Sequence, residues 1–265
     1  MSEPIKLSSP QTKEFWEIPV LYEDEYLMAL DKPAGLLLSP DPFVPQRPSL
    51  MKLLHGGIVE GKLWTISRKL AYLSPAHRLD AEASGVILLA RSKEILIALA
   101  NLFGAALVKT KYVALAEGAS QADTFEVDLK LAPHPAMAGR MRIDRKRGKK
   151  SRTCFTVLET FRGWTLLRCE PFPDRTHQIR VHLRSVSLPV VADELYGGKP
   201  LRLSKLKPGF RSKQHESERP LVSHLALHAE ELAFEHPITK RAVTVHSPWP
   251  KELQVALKYL RRYAV

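Results

Sequence analysis

The sequence predicts an α+β fold: a mixed, largely antiparallel central sheet with flanking helices and loops. Short apolar runs that suit strands outnumber stretches with helical periodicity. They are joined by loops of irregular length, and no internal repeat or regular strand–helix alternation points to a doubly wound sheet. The chain has 265 residues, 45% of them hydrophobic and 26% charged, so it is able to bury a sizeable core and lacks the composition of a disordered polymer.

Residues 1–16 are polar and read as a flexible tail, leaving 17–265 as a single domain. V-L-Y-E-D-E-Y-L-M-A-L suits two short strands around an acidic turn at Glu23 to Glu25, and Pro33 and Gly35 end the second. Three prolines mark 41–48 as loop, with a helix from about Ser49. V-I-L-L-A (86–90) is a buried strand, and Ser92 opens a helix whose Ile95, Leu99, Leu102 and Phe103 share a face. K-Y-V-A-L-A is a further strand, while F-T-V-L-E-T and W-T-L-L-R-C-E pair around Arg162-Gly163. Thr176 suits the cap of a helix with Ile179, Leu183 and Val186 on one face. L-P-V-V reads as a strand, Tyr196-Gly197-Gly198 as a turn, and the last third as short strands with a closing helix from about Pro250.

Forty Lys and Arg against twenty-eight Asp and Glu give a formal charge of +12, which favours a polyanionic partner such as nucleic acid. Eight of the thirteen residues of R-M-R-I-D-R-K-R-G-K-K-S-R (140–152) are basic. Such a stretch suits either a solvated hairpin tip or a loop that contacts phosphates through Arg145, Lys146 and Arg147. Cys154 and Cys169 lie in apolar runs without a C-x-x-C spacing, so two buried thiols are expected rather than a disulfide framework. The N-terminal segment has no basic region followed by an apolar core, and no apolar run is long enough to span a membrane; a cytoplasmic protein is expected.

Two segments carry side chains suited to chemistry. H-R-L-D-A-E-A-S-G (77–85) sets Asp80 just before a buried strand, where a rigid platform faces it toward a cleft, with Arg78 two residues away. D-R-T-H-Q-I-R-V-H-L-R-S (174–185) opens a helix with Arg175, His177 and Gln178, a start suited to anions. Alone, either is also compatible with ordinary surface.

Taken in order, H-R-L-D-x-x-x-S-G, K-Y-V-A-L, R-T-H-Q-I-R-V-H-L and D-x-x-Y-G-G resemble the RluA-type RNA pseudouridine synthases. Y-E-D-E-Y-L-M-A-L-D-K-P-A-G-L (22–36) and L-A-L-H-A-E-E-L-A-F-E-H-P (225–237) extend the likeness almost end to end. The resemblance implies the pseudouridine synthase catalytic fold, without the small separate RNA-binding domain of many members. It implies isomerisation of uridine in ribosomal or transfer RNA without metal or organic cofactor, by a monomer with no obligatory protein partner. Carried over by motif, Asp80 is the catalytic carboxylate, Arg180 its charged neighbour, and Tyr112 the ring that packs on the uracil. Arg78 helps extrude the nucleotide, and His77, Arg175, His177, Gln178, Leu227 and His228 belong to the substrate-binding set. The likeness leaves open whether the carboxylate attacks sugar or base or removes a ribose proton. Ala81, Ala83, Ala192 and Ser187-Leu188 depart from the family pattern, and its usual T-G-R-T-H is P-D-R-T-H here.

Two other classes compete. A metal-dependent hydrolase needs a ligand set that His224 and His228 supply only on a helix, yet their segment reads as strand. A non-catalytic RNA-binding protein on the same fold explains the charge but not a complete carboxylate, arginine and tyrosine set.

Overall fold

The computed structural model describes residues 3–210 and 218–264. In chain order the elements are β1 (Ile5–Ser9), β2 (Glu14–Ile18), β3 (Val20–Glu23), β4 (Leu27–Lys32), α1 (Leu50–Val59), α2 (Leu63–Ile66), β5 (Ser74–Pro75), β6 (Ser84–Ala90) and α3 (Lys93–Gly104). Then follow β7 (Lys109–Glu117), β8 (Thr124–Asp128), β9 (Leu131–Pro133), β10 (Met141–Ile143), β11 (Arg152–Phe161), β12 (Trp164–Phe172) and α4 (Gln178–Ser185). β13 (Leu227–Glu235), β14 (Ala242–His246) and α5 (Lys251–Tyr263) complete the chain. The expected α+β class with largely antiparallel pairing is what these elements form.

Two compact units divide the chain: Met1–Lys109 with Ala229–Pro248, and Thr110–His228 with Trp249–Val265. The boundaries fall at the start of β7, within β13 and just before α5.

In the first unit, β3 and β4 form the expected hairpin, and the Asp24 carboxylate closes its acidic turn. It accepts from the amides of Tyr26 and Leu27, both at 2.7 Å, and from the Tyr22 hydroxyl at 2.6 Å. These donors, the Tyr22 hydroxyl foremost, hold Asp24 below the usual carboxylate range despite its partial burial. β4 pairs antiparallel with β6 from Leu27↔Ala90 to Lys32↔Gly85, and every residue of β6 is buried. Ser92 caps α3 by accepting from the Ile95 amide, and α3 turns Ile95 and Leu99 onto Leu27, Ala29, Val86 and Leu88. Each such buried aliphatic side chain contributes roughly 1.5–3 kcal/mol. Ser49 caps α1 as expected.

Residues 5–18, read mostly as tail, instead form the β1–β2 hairpin. The signal is a five-residue alternation, with Ile5, Leu7 and Ser9 buried and Lys6 and Ser8 exposed.

The second unit holds β7, β12, β11 and β8 in spatial order, all antiparallel. β11 and β12 turn at Arg162-Gly163 as expected, Gly163 taking φ 86°. α5 buries Leu253, Ala256, Leu257 and Leu260 on one face.

Four local expectations fail here. His177 rather than Thr176 precedes α4; it takes the left-handed conformation, φ 53°, and no side chain caps the helix. Val186 lies past the helix end and is 40% exposed, so the buried face is Ile179 and Leu183. L-P-V-V makes only an isolated antiparallel bridge, Val190 to Ala116, formed by the Glu117 amide on the Pro189 carbonyl and the Val191 amide on the Leu115 carbonyl. Cys169 is buried, whereas Cys154 is half-buried, its thiol directed to Glu126.

Candidate active site

Asp80 lies in the first unit, and the loop that carries it is tied down by a side chain the sequence reading passed over. Lys32 ends β4 and is 0% exposed. Its ammonium donates to the carbonyls of Pro33 (2.8 Å), Leu36 (2.8 Å) and Ala81 (3.0 Å). Three carbonyls match the three N–H groups of a lysine ammonium. Burial nevertheless pulls Lys32 down to about 7, opposed by the negative charges of Glu82, Asp80 and Asp31. The Ala81 carbonyl also accepts from the Gly35 amide at 2.9 Å, so the K-P-A-G turn and the Asp80 loop meet at one oxygen.

The glycines of both motifs are required. Gly35 takes φ 82°, and Gly85 takes φ 113°. A Cβ on Gly85 would stand 2.3 Å from the Ala229 carbonyl oxygen. His77 opens the loop as an anchor: its Nε2 accepts from the Leu88 amide at 3.0 Å, and its ring stacks on Phe103 at 5.0 Å. Burial lowers it to about 4, which keeps Nε2 unprotonated and able to accept. Arg78, in contrast, is exposed.

Tyr112, Arg180 and the remaining expected residues belong to the second unit. Tyr112 on β7 is 4% exposed, and its hydroxyl donates to Asp174 Oδ2 at 2.6 Å. Arg180 on α4 is 4% exposed and forks onto Asp193, Nε to Oδ2 at 2.9 Å and Nη2 to Oδ1 at 2.8 Å. Asp193 is buried, so this is a desolvated, bidentate pair that fixes the guanidinium plane. Removing one partner of such a pair costs roughly 3–5 kcal/mol. Arg180 also stands 5.1 Å from the centroid of the Tyr196 ring.

The other candidates sort by where their side chains turn. Gln178 is buried and donates to the Arg152 carbonyl (2.9 Å) and Thr153 Oγ1 (3.1 Å), so its amide pegs α4 to β11. His177 Nδ1 meets the Tyr196 hydroxyl at 2.8 Å. Arg175 donates from Nε to the Lys150 carbonyl at 2.8 Å. Leu227 and His228 are buried at the start of β13. His224 lies in a bend and His228 in a strand, so the helical spacing a metal pair needs is missing. Among the described residues, no cluster of three or more His, Cys, Asp or Glu is placed to hold a metal.

The basic stretch is a clamped turn rather than a mobile tip. The Asp144 carboxylate accepts from the amides of Arg147 (2.8 Å) and Lys146 (3.1 Å) and from Arg142 Nη2 (2.8 Å). Those bonds, the Arg147 amide first, hold Asp144 below its usual range. Lys149 and Leu131 exchange two backbone bonds, and a Cβ on Gly148 would lie 2.4 Å from the Asp144 carbonyl oxygen. Arg145, Lys146 and Arg147 point outward from this frame and are exposed. Asp128, Leu129, Lys130, Arg145 and Lys150 line an open cavity of about 530 Å³ beside it.

The Lys32 knot generates a prediction. Lys32→Met should destabilise the protein by about 2–4 kcal/mol, since it takes a donor from three carbonyls, that of Leu36 buried. It should also lower the single-turnover rate by at least about tenfold by loosening the Asp80 loop. Denaturant melts and single-turnover assays check both effects; an unchanged rate in folded protein would show that the knot does not position Asp80.

Comparison with known proteins agrees with the motif reading. The family model described as RNA pseudouridylate synthase matches residues 26–185. Ribosomal large subunit pseudouridine synthase D of Xanthomonas campestris is 34% identical over 242 residues, covering 91% of this chain and 69% of that protein. Ribosomal large subunit pseudouridine synthase C of Escherichia coli K12 is 31% identical over 244 residues, covering 91% and 70%. The solved structure of human RNA Pseudouridylate Synthase Domain Containing 4 shares the fold with a TM-score of 0.67 at 22% identity, covering 91% of this chain and 92% of that one. The chain belongs to the RNA pseudouridylate synthase family and is an RNA pseudouridine isomerase.

Proposed function

We propose that this enzyme isomerises uridine in ribosomal RNA, with transfer RNA as the second reading, and that Asp80 is its catalytic carboxylate. The observation that carries the site is the platform on which Asp80 sits, held by Lys32, Gly35, His77 and Gly85. A rigid carboxylate suits a reaction whose protein chemistry is one charged oxygen pair acting on a bound nucleotide. The N1–C1′ bond of uridine breaks, the uracil turns, the C5–C1′ bond forms, the proton on C5 leaves to solvent, and N1 takes up a proton in exchange. Ribosomal RNA is favoured because the similar bacterial proteins carry that substrate in their names.

In the same proposal the Tyr112 ring packs on the extruded uracil, and Arg180, its plane set by Asp193, is the positive charge assigned to the reaction. Arg78, exposed beside the Asp80 loop, fills or props the gap the base leaves. His77 and Gln178 act by holding backbone in place, and His177 by meeting the Tyr196 hydroxyl, rather than by touching substrate. The enzyme works as a monomer, with the clamped basic turn on the phosphate backbone.

Tritium release from RNA labelled at uridine C5 tests the activity. Release in step with turnover, unaffected by chelators, is expected; RNA binding without release would favour the non-catalytic reading. A second measurement addresses the turn. Replacing Arg145, Lys146 and Arg147 by Gln should weaken RNA binding and reduce the slope of log affinity against log salt by about 2–3. An unchanged slope would leave the turn as solvated surface.

A further inference from the structure

The Tyr112–Asp174 bond is not explained by anything assigned so far. Tyr112 is held at its Cα by β7, which pairs with Cys169 of β12. Asp174 follows the end of β12, and its carboxylate accepts the phenolic proton at 2.6 Å. That length is in the charge-assisted range for O–H···O⁻ bonds. The Tyr112 ring is buried, and a bond at the phenolic oxygen adds a directional restraint at the end opposite its backbone. The next residue, Arg175, donates to the Lys150 carbonyl in the segment that ends the basic turn. The dipeptide Asp174-Arg175 therefore ties the aromatic ring on one side and the basic turn on the other. Where the resembling motif has glycine, which offers no acceptor, this chain has Asp174.

We propose that Asp174 is a positioning residue of this enzyme: it fixes the Tyr112 ring through its hydroxyl, in register with the turn that holds the RNA backbone. The inference rests on the assignment of Tyr112 as the ring that packs on the uracil. It also changes what the tyrosine hydroxyl does: its proton is committed to Asp174, so the hydroxyl serves ring orientation.

A double-mutant cycle tests this on one RNA substrate, reading single-turnover rate and RNA affinity separately. Asp174→Gly should lower the rate by about tenfold, the scale expected of a small misplacement, with affinity within about twofold of wild type. In a Tyr112→Phe background, Asp174→Gly should change the rate by less than about twofold, because the hydroxyl through which it acts is gone. Asp174→Asn keeps an acceptor oxygen and should recover part of the lost rate. If Asp174→Gly does not fold, Asp174→Asn carries the same cycle. A full rate in the Asp174 variants, or an equal loss in both backgrounds, overturns the proposal. Tyr112→Ala separates the layers. If it retains the wild-type rate, the stacking assignment falls and this inference with it. If it is inactive while Asp174→Gly is fully active, the stacking assignment stands and only the role of Asp174 falls.

Discussion

A buried lysine ammonium organises the loop that carries Asp80 in the first unit. Lys32 meets three carbonyl oxygens, and one of them belongs to Ala81, the residue after Asp80. An ammonium in such a place is costly unless every N–H finds an acceptor. Here each one does, and the surrounding carboxylates add favourable charge. The arrangement leaves little freedom to the loop. Gly35 reaches the same carbonyl from the other side, and Gly85 lets the following strand approach Ala229 more closely than a side chain allows. The carboxylate proposed to be catalytic, its backbone fixed in this way, has little reorganisation left to do when substrate binds.

The second unit reaches the same end by a different route. α4 begins without a cap, on a left-handed His177, so its position cannot come from local capping. It comes from side chains pegged into β11 and into the link between β8 and β9. Gln178 donates to Thr153 Oγ1, Thr153 Oγ1 lies 2.8 Å from His182 Nδ1, and His182 Nε2 lies 3.1 Å from the Leu129 carbonyl. The carbonyl only accepts, so the proton is on Nε2 and the threonine donates to Nδ1. Burial lowers His182 below the ordinary histidine range and favours that neutral ring. With the helix pegged, the Arg180–Asp193 fork fixes the one cation on α4 that the motif assigns to chemistry.

Much of this was legible in the residues. The apolar run of β6, the Ser49 and Ser92 caps and the Arg162-Gly163 turn follow from hydrophobic pattern, capping and turn chemistry alone. Asp80, Tyr112 and Arg180 could be placed only through motifs taken together, since each alone suits ordinary surface or core. What stayed hidden depends on partners distant in sequence. Lys32 was visible in D-K-P-A-G, but a lysine is ordinarily solvated, and its acceptor at Ala81 is set by the fold. Gln178 and His177 looked like ligand-facing groups at a helix start; tertiary acceptors on β11 and Tyr196 turned them inward. Asp174 was visible as a departure from the motif, yet its bond to Tyr112 depends on how β7 and β12 pair.

The central claim is that the fixed carboxylate of Asp80 performs the chemistry, and one isosteric change addresses it. Asp80→Asn keeps side-chain shape and removes the charge. Single-turnover tritium release should fall by at least about a thousandfold, with the thermal melt and RNA affinity nearly unchanged. A folded, RNA-binding Asp80→Asn enzyme turning over within about tenfold of wild type would contradict the assignment.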